Sequence, residues 1–331
     1  MYLTRLMQCA VVALAGNLLS HGLALAQLPG GAAYPARPLR FVVNFPIGGS
    51  VDVVARLTGQ RLLEATGQQV MVENRPGAGG NLGAESVAKS TPDGYTVLVT
   101  LDSTMTVNPS LYPKLSFDPA KDFAPVTQAV SSMLVVVVHP SLPTRSLREF
   151  VTLAKAKPQQ LVLASGGNGS STHLAAVMLG SAAGIGFVHV PYRGGPPAVA
   201  DLVAGQVHVS MPSLAVALPM IKAERLRALA VTSGTRAARF NTLPTVAEAG
   251  YPGYEMLFWI GFLAPAGTPD SIVNTLHEEI TKIIRKPDVK DILANQMFDV
   301  VGSRPGEFGV LIRQEMMRLS KVVKESGVRV D

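Results

Sequence analysis

From Leu39 onward the chain alternates short apolar segments with segments of helical periodicity, and this alternation limits the folds that it can adopt. Apolar runs at 39–44, 69–72, 95–100 and 161–163 are each followed by a turn and then by a helical pattern. Such alternation predicts an α/β architecture with largely parallel sheets. With 331 residues, the chain is long enough for two domains that each have a core.

Two of the strand-to-helix turns are rich in glycine and serine. The first glycine loop, residues 45–50, ends at Ser50, which we expect to be the N-cap of a helix over 51–66. The second glycine loop, residues 164–171, precedes a helix over 174–183. A helix N-terminus offers free backbone N–H groups and a dipole that favours negative charge. Because ligands of open α/β sheets bind at the carboxyl ends of the strands, the two loops together indicate capture of a small acid.

The first 26 residues have the physical features of an export signal. Arg5 precedes a mostly apolar stretch over 10–19, and the small-residue sequence Ala24-Leu25-Ala26 predicts cleavage before Gln27. Cys9, the single cysteine, lies within this segment. We therefore expect an exported mature protein without disulfides or thiolate chemistry.

Other kinds of chemistry find less support in the sequence. Ser170, Ser171 and His173 are close enough to keep an exported hydrolase as an alternative, although the Gly-x-Ser-x-Gly pattern is absent. A metal site would need His173, His189 and His208 to converge from separate segments. The net charge is +6, but the basic residues are scattered and lack interleaved aromatic residues. We expect no enzyme activity, no cofactor, no metal and no nucleic-acid partner.

Three side chains have two readings each. Arg193 is either a partner for a carboxylate or a solvated surface charge. Asp52 is expected to accept hydrogen bonds from loop amides, because it would repel an acidic ligand. Trp259 belongs either to the core or to the wall of a cleft.

Seven short segments, in order, give the chain a resemblance to a known family. It resembles the solute-binding receptors of tripartite tricarboxylate transporters, also called Bug receptors. The segments that carry the resemblance are 45–49, 74–81, 93–96, 167–174, 189–195, 243–250 and 264–269. The chain departs from the family pattern at Ser50-Val51 and at Ile47, where proline is common. We expect Ile47 to make the first glycine loop more apolar and to alter the ligand.

The resemblance implies a type II periplasmic binding protein fold, with two α/β lobes joined by two crossing strands. The apolar runs near Val135 and Val231 are expected to connect the lobes. After the signal at 1–26, the first lobe is therefore expected at 27–128 and 234–331, and the second at 129–233. A monomer would hold a small organic acid anion in the cleft and deliver it to the membrane permease subunits of a tripartite transporter. A sensor kinase as the partner, with the same receptor acting in signalling, is the alternative.

In this family the two glycine loops hold one ligand carboxylate, largely through backbone amides, hydroxyls and ordered water. Carried over to this sequence, that role and the neighbouring strand ends predict one set of ligand-binding residues. The set is Ile47, Gly48, Gly49, Ser50, Asp102, Ser103, Ser165, Gly167, Asn168, Gly169, Ser170, Ser171, His173, Tyr192, Arg193 and Ser210.

Overall fold

The computed structural model of the chain describes residues 34–237, 240–326 and 328. The chain divides into two units, Met1–Ala36 and Arg37–Asp331, and every element below belongs to the second unit. The expected signal over 1–26 and its cleavage site lie outside the described residues. Within the described ranges, no helix has the length and apolar character that a membrane crossing requires.

A six-stranded mixed sheet holds both the early and the late parts of this unit. Its central strands are almost fully buried, which is typical of sheets covered by helices on both faces. The strand order is β11-β4-β10-β3-β1-β2, in which β1 is parallel to β2 and to β3 while β10 is antiparallel to both of its neighbours. The strands are β1 (Leu39–Val43), β2 (Val70–Asn74), β3 (Thr96–Leu101), β4 (Phe123–Met133), β10 (Leu257–Pro265) and β11 (Asp299–Val300).

A second sheet of five strands is built from the middle of the chain. Its order is β7-β6-β8-β5-β9, and β6 is parallel to β7 and to β8. The all-valine strand β5 is fully buried, as its continuous apolar run predicts. The strands are β5 (Val135–Val138), β6 (Val162–Ser165), β7 (Val188–Pro191), β8 (Val209–Ser210) and β9 (Arg227–Val231).

Helices follow the strands in the alternation that the sequence predicts. Those around the first sheet are α1 (Ser50–Thr66), α2 (Asn81–Ala88), α3 (Asp102–Thr106), α4 (Asn108–Leu111), α9 (Asp270–Ile284), α10 (Pro287–Asn295) and α11 (Pro305–Ser326). Those around the second sheet are α5 (Leu147–Ala156), α6 (Ser171–Ala183), α7 (Gly195–Val203) and α8 (Leu214–Lys222).

The chain passes from one sheet to the other at Leu134 and returns between Val231 and Leu257. Thr232, which is fully buried, ties the two passages together. The Leu134 amide donates to its hydroxyl oxygen at 2.9 Å, and that hydroxyl donates to the Met256 carbonyl at 2.6 Å. Strand β4 continues through the lobe boundary expected at 128/129, with a shift of register against β10 between Gln128 and Val130. The lobe boundaries themselves stay a prediction.

Each sheet packs against its helices through a separate apolar core. In the second sheet, Val137, Ala164 and Leu202 belong to one buried cluster. In the first, Trp259 is 2% exposed and packs edge-on against Phe308, with the ring centroids 4.9 Å apart. Trp259 therefore belongs to the core and not to a cleft wall.

Candidate functional site

The predicted residues gather at the carboxyl ends of the parallel strands of both sheets. In the first sheet, β1 and β3 are parallel neighbours, so the first glycine loop and Asp102 emerge at the same edge. In the second sheet, β6 lies between its parallel partners β7 and β8, which brings the second glycine loop beside Tyr192 and Arg193. Sheet topology thus assembles two groups of candidate residues, one at each edge.

Asp52 holds the first glycine loop in place through hydrogen bonds. The Gly48 amide donates to the Asp52 carboxylate at 3.0 Å, as expected, and Arg56 and Asn74 donate to the same group. Burial works to raise the pKa of Asp52, but hydrogen bonds from Arg56, Gly48 and Asn74 outweigh it and lower that pKa. A charged Asp52 therefore holds the loop through these hydrogen bonds.

The expected N-cap role of Ser50 is wrong. Gly49 is the N-cap of α1 and supplies no side-chain cap, and Ser50 is already the first helical residue. Among the described residues, the amides of Ser50 and Val51 have no acceptor. Ile47 stands beside them at the tip of the loop with 74% of its surface exposed. The loop thus offers two free donors next to an exposed apolar side chain.

Hydrogen bonds within the second glycine loop use several of its donors. The amides of Gly166, Gly167 and Gly169 donate to Thr172 Oγ1, Ser165 Oγ and His173 Nδ1, at 2.8, 3.1 and 3.2 Å. Ser170 caps α6, because its hydroxyl oxygen accepts from the His173 amide. In the described part of the chain, the amides of Asn168, Ser171 and Thr172 donate to no protein group. These internal bonds pre-organise the loop around three open amides.

Two histidines form hydrogen bonds with residues of the second glycine loop. The rings of His173 and His189 stack at 3.7 Å between centroids, and His189 Nε2 lies 2.6 Å from the Ser165 hydroxyl. Burial, together with the nearby His189, lowers the pKa of His173 to about 3. Burial also lowers the pKa of His189. Neutral His173 can accept from the Gly169 amide through Nδ1, so it takes part in the bonding of the loop.

Asp102 and Ser171 form a direct contact between the two edges. The Ser171 hydroxyl oxygen lies 3.0 and 3.1 Å from the two carboxyl oxygens of Asp102, and both residues are buried. A Cβ atom on Gly169 would overlap the side chain of Leu111 in α4, so the second loop also packs against the first-sheet helices. The edges therefore meet at Asp102–Ser171 and Gly169–Leu111.

The remaining predicted residues are less involved in this junction. The Tyr192 hydroxyl donates to Asp201 at 2.6 Å, and the buried Ser210 hydroxyl donates to the Ala164 carbonyl. Arg193 is exposed, and no ion pair with it is found within the described ranges. Ser103 is buried directly after Asp102. The side chains of Tyr192 and Ser210 are thus engaged in hydrogen bonds around the second sheet.

The predicted ligand-binding residues do not include a polar network that lies next to the first sheet edge. The Asn44 amide group donates to the Gly80 carbonyl and to Thr104 Oγ1 at 3.0 and 3.1 Å. Asn44 Oδ1 is buried and has no hydrogen-bond partner among the described residues. In the sequence, the only sign of this network is Asn44 itself, directly after the apolar run 39–43. Its importance becomes visible only when the fold buries this edge of the sheet.

The geometry is unsuited to the hydrolase and metal alternatives. Neither Ser170 nor Ser171 bonds to a histidine side chain, and Ser165, which does, is fully buried. His208 Nδ1 accepts from the Val162 amide, and His208 is not part of the stacked pair. The described residues contain no cluster of three or more His, Cys, Asp or Glu side chains suited to a metal.

A cavity of about 810 Å³ lies along α6. Its lining includes His173, His189, Tyr251 and Tyr254, and of the predicted ligand-binding residues only His173 takes part. The junction of the two edges, and not this cavity, is the place where the predicted residues meet.

Comparisons with known proteins agree with this architecture. The chain matches the tripartite tricarboxylate transporter family receptor over residues 54–328. Protein BugT of Bordetella pertussis is 36% identical over 298 residues, covering 90% of this chain and 91% of BugT.

Two solved structures add ligands to the comparison. Rpa4515 of R. palustris, solved with adipate, is 33% identical with a TM-score of 0.84, over 89% of this chain and 99% of that one. MatC of Rhodopseudomonas palustris, solved with bound malate, is 31% identical with a TM-score of 0.80, over 88% of this chain and 100% of that one.

The matching proteins are solute-binding receptors and not enzymes. The fold is that of periplasmic binding proteins, with two α/β lobes joined by crossing strands. By its sequence and its fold, this chain belongs to the family of tripartite tricarboxylate transporter receptors.

Proposed function

We propose that the protein is an exported receptor that captures a small organic carboxylate between its two lobes and delivers it to the permease of a tripartite transporter. Family membership and the adipate and malate bound by two similar structures support the ligand class. Similarity to solved periplasmic binding proteins supports the location. Lobe one would comprise 27–128 and 234–331, and lobe two 129–233.

The observation that carries this proposal is the pair of open helix N-termini at facing sheet edges. In the described structure, free amides of Ser50 and Val51 head α1, and those of Asn168, Ser171 and Thr172 head α6. Hydrogen bonds to a charged group contribute about 1.5–3 kcal/mol each, so several of them can outweigh the ordering cost of binding. A net binding free energy near −8 kcal/mol corresponds to a dissociation constant of about 1 μM.

In this mechanism the ligand is held by backbone dipoles and hydroxyls and not by one cationic side chain. Arg193, the cation of the predicted set, is exposed and would act from the rim. The ligand-binding set stays a proposal, with its centre on the two glycine loops and its margin at Tyr192, Arg193 and Ser210. Closure of the lobes would then bury the anion between the two helix N-termini.

Titration calorimetry with malate and adipate tests the proposal. We expect binding of at least one of them. Ser171→Ala should weaken that binding by about 1–3 kcal/mol, because the substitution removes a buried hydroxyl group and its hydrogen bonds. Arg193→Ala is the control, because an exposed charge should alter affinity less, and mainly at low ionic strength. Binding that disappears in Arg193→Ala while Ser171→Ala binds normally would contradict the backbone-amide mechanism.

A further inference from the structure

The second glycine loop contains the one Asn-Gly pair of the whole sequence, Asn168-Gly169. In such a pair the backbone nitrogen of the glycine can attack the side-chain amide carbon of the asparagine, because glycine has no Cβ atom to hinder the approach. This intramolecular reaction makes asparagine before glycine especially prone to deamidation. Here the pair lies in the loop that heads α6, where a change of charge has consequences for an anion.

The surroundings of Asn168 suit this attack. The residue is exposed, and its side chain forms no hydrogen bond in the part of the chain that the structure describes. The amide of Gly169 donates to His173 Nδ1 at 3.2 Å. Because burial lowers the pKa of His173, this ring is neutral and offers a lone pair to the proton that the glycine nitrogen must lose. The asparagine side chain is therefore unrestrained next to a nitrogen whose proton already has an acceptor.

The other asparagines of the described ranges lack these features. One group has side chains that are held by hydrogen bonds, namely Asn44, Asn74, Asn81 and Asn108. The other group precedes threonine or glutamine, whose side chains hinder the attack, namely Asn241, Asn274 and Asn295. Asn241 is exposed and lies in a turn, so it is a matched site without the glycine.

The reaction consumes one water molecule and releases one molecule of ammonia. The Gly169 nitrogen loses its proton and forms a bond to Cγ of Asn168, the bond from Cγ to Nδ2 breaks, and Nδ2 takes up the proton and leaves as ammonia. Water then adds to one of the two carbonyl carbons of the five-membered imide and opens the ring. The product is an aspartate or an isoaspartate in place of Asn168, and no oxidant or reductant takes part.

We propose that Asn168 is a deamidation site through which the second glycine loop acquires a carboxylate of its own, and that this carboxylate excludes the ligand. The second half rests on the proposed function, which takes the anion to bind at the N-terminus of α6. In the described structure the amides of Asn168, Ser171 and Thr172 have no protein acceptor there, and a helix N-terminus favours negative charge. The new carboxylate would compete for these donors and repel the ligand. The receptor would lose affinity without losing its fold.

The first experiment follows the modification and needs no ligand. The folded protein is kept in mildly alkaline buffer, and peptide mass spectrometry should find at Asn168 the mass gain that exchange of NH2 for OH produces. The peptide with Asn241 should keep its mass, and Asn168→Gln should abolish the gain, because glutamine would have to close a larger ring. If a denatured sample gains this mass and the folded protein does not, the loop blocks the attack and the inference is wrong.

The second experiment compares the malate and adipate affinities of Asn168→Asp and Asn168→Gln. The aspartate variant should bind at least about tenfold more weakly, because it sets like charges side by side. Its thermal unfolding midpoint should be no lower, because the charge suits a helix N-terminus. Asn241→Asp adds the same charge elsewhere and should leave affinity unchanged.

Equal affinities of the two variants at position 168 would overturn the proposed exclusion of the ligand. If neither acid binds to the wild type, the proposed function fails for these ligands, and the mass measurement alone decides whether Asn168 is modified.

Discussion

At the scale of single residues, Gly169 shows why the second glycine loop needs its particular sequence. Its backbone has φ of +70°, a region that glycine enters without steric cost. The residue is also pressed against Leu111 across the junction between the sheets, where a Cβ atom would overlap that side chain. Two separate demands, one local and one between the lobes, fall on the same position.

The two demands can be separated with a matched glycine. Gly184, at the end of α6, has φ of +64° and open space where a Cβ would be. Gly184→Ala should lower the free energy of unfolding by about 1 kcal/mol and leave ligand affinity unchanged, because only backbone strain is introduced. Gly169→Ala should show the same strain and should also weaken malate or adipate binding. Thermal unfolding and calorimetry measure both effects, and equal affinities for the two variants would show that the lobes do not close on Leu111.

Some residue roles that depend on local sequence could be predicted, and roles that depend on distant contacts could not. Asp52 lies four residues from Gly48, so its bond to the loop could be foreseen from the need to keep a carboxylate away from an anion. The pairing of Asp102 with Ser171 spans 69 positions, and no periodicity in the sequence encodes it. Ser50 was misassigned as a cap because Gly49 adopts the extended cap conformation one position earlier.

At the scale of elements, two helices begin with the same kind of serine N-cap in different surroundings. Ser146 caps α5 and Ser170 caps α6, each by accepting from the amide three residues later. Around α5, Glu149 accepts from the Arg145 amide at 2.6 Å, which is a variant of the capping box. Of these two helices, α6 starts at the junction of the two edges and α5 does not.

This pair gives a matched test of the proposed site. Ser146→Ala and Ser170→Ala should each lower the free energy of unfolding by about 1 kcal/mol, the usual cost of losing a cap. Carboxylate affinity should fall in Ser170→Ala alone, because that hydroxyl also donates to the Gly167 carbonyl and shapes the second loop. Denaturant unfolding and calorimetry on both variants provide the comparison, and a loss of affinity in Ser146→Ala would mean that the effect reflects general stability.

Most elements could be anticipated from apolar runs and cap signals, while their partners in the sheets could not. The valine run at 135–138 is a buried strand, as expected from its continuous apolar character. Nothing in that run says that it pairs with both β8 and β9. Strand neighbours are set by how helices cover the sheet and by the path of the chain, which are properties of the assembled lobes.

At the scale of the whole molecule, export is the prediction that biochemistry can check most directly. Cleavage after Ala26 should leave a cysteine-free protein that begins at Gln27, because the small residues Ala24 and Ala26 fit the processing site. Mass spectrometry of a periplasmic fraction measures this end, and Ala26→Tyr should preserve the uncleaved form. An intact Met1 in the wild type, or a lipid on Cys9, would contradict the prediction.

The order of strands in the first sheet also has a consequence for synthesis. Strand β10 lies between β3 and β4, although it follows them by more than a hundred residues in the chain. Until the ribosome has made Pro265, the two earlier strands lack the partner that joins them, so the leading part of the polypeptide cannot complete its own core. A nascent chain with this connectivity should complete the first sheet only after Pro265 has been made, and such late completion would suit the export proposed above.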